Sequence, residues 1–167
     1  MIFAKVNRFS VFQMALTCLL SFGAMSSVHA DDLNDLISTL DGDWIAVAEE
    51  SDGKEMKSSD VKKMDKTLKI DGKEFVLSWS GRSLKGTLET KPGDDPATID
   101  MSGVLPTGKS VVLKGIYELK DDTLRICYTI QIVNLDEVER PTEFKTKQGM
   151  RHICVTYQRQ KSTSMNS

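Results

Sequence analysis

From Gly42 onward, apolar residues fall on alternate positions, and the alternation restarts after each cluster of turn residues. Trp44 to Ala48 predicts a first strand, followed by the turn-like SDGKE. TLKI and EFVLSW flank Asp71-Gly72, the strongest short-range hairpin signal in the chain. RSLKGTLET sets Leu84, Gly86 and Leu88 on one face, KPGDDP is turn chemistry, and ATIDM faces Ile99 and Met101 together. SVVLKGIYEL aligns Val111, Leu113, Gly115, Tyr117 and Leu119. Beyond the Asp121-Asp122 turn, TLRICYTIQI aligns Leu124, Ile126, Tyr128, Ile130 and Ile132, and the last run aligns Ile153, Val155 and Tyr157. A helical period replaces the alternation in residues 31–40, where Leu33, Leu36, Ile37 and Leu40 share a face and Asp31 and Asp32 suit the N-terminal end. The lysine-rich stretch EMKSSDVKKMD, residues 55–65, reads as a short surface helix.

About eight short strands joined mostly by tight turns, with no alternation of strand and helix, predict an all-β protein. The expected form is an antiparallel up-and-down β-barrel with a short N-terminal helix; a sandwich is the alternative. Sequential strands usually pair, which favours a meander. Gly86 and Gly115 lie inside strands, where glycine marks the bends that let a sheet curl closed. The connection from Val133 to Met150 is too long for a hairpin. It mixes Asp136, Glu137, Glu139, Arg140, Glu143, Lys145 and Lys147, and is expected either to be a solvated loop or to carry a binding function.

The first thirty residues change the picture of where the domain works. Lys5 and Arg8 precede a mostly apolar run from Val11 to Phe22, and Val28-His29-Ala30 forms a small-x-Ala cleavage site before Asp31. The run is shorter than the ~20 residues of a spanning helix, so a cleaved secretory signal is expected rather than an anchor. Ala15-Leu16-Thr17-Cys18 fits a lipoprotein signal poorly. Cleavage leaves a domain over residues 31–160 and a disordered tail over 161–167. It removes two basic residues and no acid, shifting the net charge from −2 to −4. A mildly acidic surface argues against nucleic acid, whose binding requires phosphate neutralisation, and no membrane span remains after cleavage. The expected location is periplasmic or secreted, and the expected state is a monomer.

Cys18 leaves with the signal, so Cys127 and Cys154 remain as a pair in an oxidising compartment. Parity puts Cys127 with Arg125, Thr129 and Gln131, and Cys154 with His152, Thr156 and Gln158, on the polar sides of their strands. If the strands are neighbours, a cross-strand disulfide follows. The alternative is a zinc or copper site built from Cys127, Cys154 and His152, which lacks a fourth ligand and CxxC spacing. The expectation is no metal and no cofactor. Of the enzyme motifs, G-x-S-x-G, the P-loop and H-E-x-x-H are missing, and His152 is the only histidine of the cleaved chain, so no catalytic residue is named.

LDGDWIAVAEESDGKEM resembles the opening of a lipocalin-like domain family of uncharacterised proteins abundant in planctomycete bacteria. DPATIDM, KGIYELKDDTLRICY and RPTEFKT resemble that family's later blocks, in the same order, so that the likeness runs from about Leu40 to Arg159. The stretch between Tyr128 and Arg140 is longer than the family's usual link. The resemblance implies a closed antiparallel barrel and no reaction, since the family has no assigned activity. It also implies that Trp44 plugs one barrel end with Arg159 packed over it; the alternative is that Trp44 lines a ligand cavity.

These readings point to an exported, non-catalytic binding protein that holds a small apolar or amphipathic ligand in the barrel. Trp79, Tyr117, Tyr128, Arg140 and Tyr157 are the residues expected at its interior or mouth. For Arg140 the other use is a structural ion pair, with Glu143 as a local partner. The alternative function is an envelope protein-interaction or inhibitor module working through its outer surface and the 133–150 loop.

Overall fold

The computed structural model describes residues 38–135 and 137–161. The expected signal segment, most of the expected 31–40 helix and residues 162–167 of the expected tail lie outside the described residues. Ser38 has helical backbone, and Leu40 is fully buried beneath the barrel.

Among the described residues nine strands follow in sequence: β1 (Gly42–Ser51), β2 (Lys54–Glu55), β3 (Thr67–Asp71), β4 (Glu74–Trp79), β5 (Arg82–Lys91), β6 (Thr98–Val104), β7 (Ser110–Lys120), β8 (Thr123–Ile132) and β9 (His152–Arg159). Leaving aside the two-residue β2, consecutive strands pair antiparallel, and β9 pairs back onto β1. The result is a closed eight-stranded meander, as the alternation predicts. One helix, α1 (Ser58–Met64), occupies the lysine-rich stretch. Asp60 in its first turn and Lys62 and Lys63 in its last complement the helix dipole, and Val61 is its buried anchor. β5 and β6 approach closely at Gly86. There a Cβ on Gly86 would lie 1.8 Å from the Ser102 carbonyl oxygen, so only glycine lets the two backbones approach.

Inward and outward positions alternate as expected along β3 to β9, with a core of Leu68, Ile70, Phe75, Leu88, Ile99, Leu124 and their neighbours. β1 departs from strict alternation. A bulge between Ala46 and Ala48 inserts Val47, 48 % exposed, so that Trp44 and Ala46 face inward, and then Glu49 does. Glu50 is thereby turned outward, opposite Cys154.

The two ends of the barrel differ. At one end Trp44 is fully buried and donates through Nε1 to the Leu40 carbonyl at 2.9 Å. The Arg159 guanidinium lies 4.1 Å from the Trp44 ring and donates to the carbonyls of Asp41 and Thr39. Gly42 has φ +135°, a backbone conformation that favours glycine, and a Cβ there would also displace Arg159 Nη1, 2.8 Å away. Trp44 and Arg159 thus form a plug at this end of the barrel.

Although most of its described residues are exposed, the segment between β8 and β9 is anchored across the outside of the barrel as a strap. Arg140 reaches β6 and β7, donating to both Asp100 carboxylate oxygens and to the Gly115 carbonyl. Phe144 packs on Ile116, Cys127 and Cys154. Arg125 donates to the Phe144 carbonyl at 2.7 Å, with its guanidinium 5.3 Å from that ring. Thr146 donates from its amide and hydroxyl to Glu50, each at 2.7 Å, and Gly149 N donates to Asp52 at 2.6 Å. The strap explains why Ile116, Cys127 and Thr129 are buried although parity places them outside.

Cys127 and Cys154 sit directly opposite one another in the β8–β9 ladder and are joined by a disulfide. Their sulfurs are therefore not available to a metal set with His152. The bond lies on the outer face, as parity predicts, but beneath Phe144 rather than in solvent.

Candidate functional site

The barrel is filled at the Trp44 end and hollow towards the other. A cavity of about 240 Å³ lies there, walled by Leu77, Trp79, Leu84, Val111, Leu113 and Tyr128, with Met64, Leu105, Ile130 and Ile153 towards its mouth. This is just below the ~300–1,000 Å³ common for ligand pockets, so it suits a molecule smaller than a typical drug. α1 reaches it through Met64, whose carbonyl accepts from Ser80 N at 2.6 Å, fixing the helix against the β4–β5 turn. Ile130, aligned by parity with the inner face, is 44 % exposed because it stands at the rim. A larger depression of about 500 Å³ lies across β3 to β5, where charged Lys69, Asp71, Glu74 and Lys85 line it. It has no buried polar group.

One feature of the hollow end is polar. Lys66 and Glu49 both line the cavity, and Lys66 Nζ donates to Glu49 Oε2. Their side chains are only 7 % and 8 % exposed. Lys66 immediately precedes β3 and keeps the inward parity of Leu68 and Ile70, while Glu49 faces inward because of the Val47 bulge. The two backbones are neighbours, since Ala46 N donates to the Lys66 carbonyl at 2.9 Å. Among the described residues Lys66 Nζ has this one hydrogen-bond partner, although an ammonium carries three donors.

Tyr128 lies beside the pair. Burial, and then the Glu49 charge, hold its phenol far above the usual tyrosine range, so it stays a neutral donor and acceptor. Tyr157 is likewise pushed up by burial first, with Tyr128 and Glu49 adding to it. It packs in the core at 1 % exposure and is not part of the cavity wall. Tyr117 also belongs to the core; burial raises its phenol, and a hydrogen bond with Thr90 opposes that.

Of the five residues expected around a ligand, Trp79 and Tyr128 meet at the cavity. Tyr117 and Tyr157 belong to the core outside the cavity wall. Arg140 is on the outer face, where it pairs with Asp100 rather than Glu143. Lys66 and Glu49 are the residues the sequence reading missed. Lys66 had a signal, because it shares the period-two face of Leu68 and Ile70. Glu49 had none, since nothing in WIAVAEES marks the bulge.

Among the described residues no group of three or more metal-ligating side chains converges, and no helix is long and apolar enough to cross a membrane. Compared with known proteins, the chain matches no protein-family model, no curated protein and no solved structure at a significant level.

Proposed function

We propose that the protein is an exported, lipocalin-like binding protein that holds a small amphipathic molecule in the hollow end of its barrel. The observation that carries this reading is the Glu49–Lys66 pair set into an otherwise apolar cavity. Apolar walls supply affinity by burying hydrocarbon, and a few polar groups supply orientation. A wholly apolar ligand would leave the unused hydrogen-bonding capacity of Lys66 and Glu49 without partners, so the ligand carries a polar head. The cross-strand disulfide supports export, because such bonds persist in oxidising compartments. A non-catalytic role fits the place of His152, which shares the outer face of β9 with Cys154, away from the cavity.

The test is binding of short-chain amphiphiles followed by Trp79 fluorescence and calorimetry, on the native protein and on Leu113→Trp, which fills the cavity. Saturable binding that is lost in Leu113→Trp supports the proposal; no binding by any amphiphile overturns it. A second reading, a protein contact made by the strap, draws on Val133, Leu135 and Met150, which are 39 %, 66 % and 46 % exposed. Cross-linking in an envelope extract, with and without Leu135→Asp, tests it.

A further inference from the structure

The buried ion pair says more about the head group than that it is polar. Glu49 lies in β1 and Lys66 immediately before the neighbouring β3, and they neutralise each other, so this part of the cavity wall carries no net charge while offering both a donor and an acceptor. An ionised carboxylate brought to the pair would compete with Glu49 for one ammonium and leave a net negative charge in an apolar enclosure. An alkylammonium would compete with Lys66 for one carboxylate and leave a net positive charge. Either arrangement removes a charge from water without a full partner, which is the costly state for a buried ion. The remaining wall offers no counter-charge. Tyr128 is a neutral phenol, and Leu77, Trp79, Leu84 and Leu113 carry no charge.

A neutral head that both donates and accepts meets neither cost. It takes a hydrogen bond from a free Lys66 N–H and gives one to a Glu49 oxygen, and the ion pair stays intact. We infer that the cavity selects uncharged amphiphiles with a bifunctional head, a primary carboxamide or an alcohol on an aliphatic body, over carboxylates and amines of the same length. This rests on the cavity being a ligand site, as proposed above.

The experiment is a calorimetric titration of the native protein at neutral pH with octanamide, octanol, octanoate and octylamine, which share a tail and differ in head. Octanamide and octanol are expected to bind on the order of a hundredfold more tightly than the two ions, the scale set by a buried charge left without its partner. Octanoate or octylamine binding as tightly as octanamide overturns the inference and leaves the ligand-binding reading standing. Binding by none of the four overturns both. A second arm tests the cause: Glu49→Gln leaves Lys66 without its counter-charge, so octanoate becomes the preferred ligand of that variant. Unchanged preference in a folded Glu49→Gln protein counts against the ion pair as selector.

Discussion

Arg140 grips Asp100 through two parallel hydrogen bonds, of 2.7 and 2.9 Å, across 40 residues of sequence. The same guanidinium donates to the Gly115 carbonyl at 2.7 Å, so one side chain ties the strap to two strands at once. The pair is about one-third exposed, and its two-pronged geometry lifts it above an ordinary surface ion pair. Arg140→Ala is expected to cost about 1–2 kcal/mol in urea unfolding. Hydrogen exchange should locate the loss: amides from 139 to 146 lose protection while those of β6 and β7 keep theirs. Uniform loosening of the barrel would mean that the strap is not a separate unit.

The disulfide lies under that strap and joins residues 27 apart in sequence. Closing a loop of that length restricts the unfolded chain by about 3.5 kcal/mol in the chain-entropy account. The Cys127→Ala/Cys154→Ala protein is expected to lose stability on that scale. Because Phe144 covers the sulfurs, the native protein should react slowly with an external thiol, and Phe144→Ala should react faster. Equal reduction rates would show that Phe144 does not shield the bond.

Glu50 anchors the other end of the strap. The Thr146 hydroxyl, then its backbone amide, hold the Glu50 carboxyl below its ordinary value of 4.5. A depressed folded value means that the contribution is fully present above the unfolded pKa and is lost as pH falls through the folded one. Strap amides around Thr146 should therefore lose exchange protection once the pH falls below the ordinary glutamate range, before the barrel strands do. Thr146→Val, which removes the hydroxyl, should raise the Glu50 pKa seen by carboxyl-carbon NMR. An unmoved value would remove Thr146 as the cause.

Much of the barrel was legible because a two-residue period and turn chemistry both act locally. The hairpin around Asp71-Gly72, the Ile99 and Met101 face and the outward side of Cys127 and of Cys154 follow from counting along single strands, while the opposition of the two cysteines needed the strand pairing. The strap was not legible, because its anchors are polar side chains whose partners are remote. Thr146 is buried by Glu50, 96 residues away, and its own segment reads as solvent-exposed. The site was half legible for a similar reason. Trp79 and Tyr128 are aromatic and stand out, whereas a buried lysine and glutamate look like surface residues until the bulge and the neighbouring strand bring them together.

The Trp44 plug gives a further test. Trp44 fills the closed end completely, while Arg159 adds a ring contact at 4.1 Å and hydrogen bonds to the chain leading into β1. Removing the ring by Trp44→Ala should cost about 3–5 kcal/mol. Arg159→Met keeps some of the stem packing and loses the charge, so its cost should be smaller, about 1–2 kcal/mol. The emission of Trp44 should shift towards that of water-exposed indole in Arg159→Met, measured in a Trp79→Phe background. No shift would mean that the plug seals without the arginine.

The Glu49–Lys66 pair is expected to serve binding more than stability, and the two roles separate in a mutant cycle. Burying two charges costs desolvation that their attraction repays only in part, so the pair need not stabilise the fold. Removing one partner is different, because the other is left charged inside an apolar wall. Glu49→Leu and Lys66→Met alone should each destabilise the protein by about 3–5 kcal/mol. The double variant Glu49→Leu/Lys66→Met should return close to the native stability or exceed it, since both residues then match their apolar neighbours. Chemical unfolding of the four proteins supplies the cycle, and octanamide titration supplies the second readout. If the pair exists for the ligand, the double variant is stable and no longer distinguishes octanamide from a hydrocarbon of equal length. A double variant that is as unstable as the singles would make the pair a structural element instead.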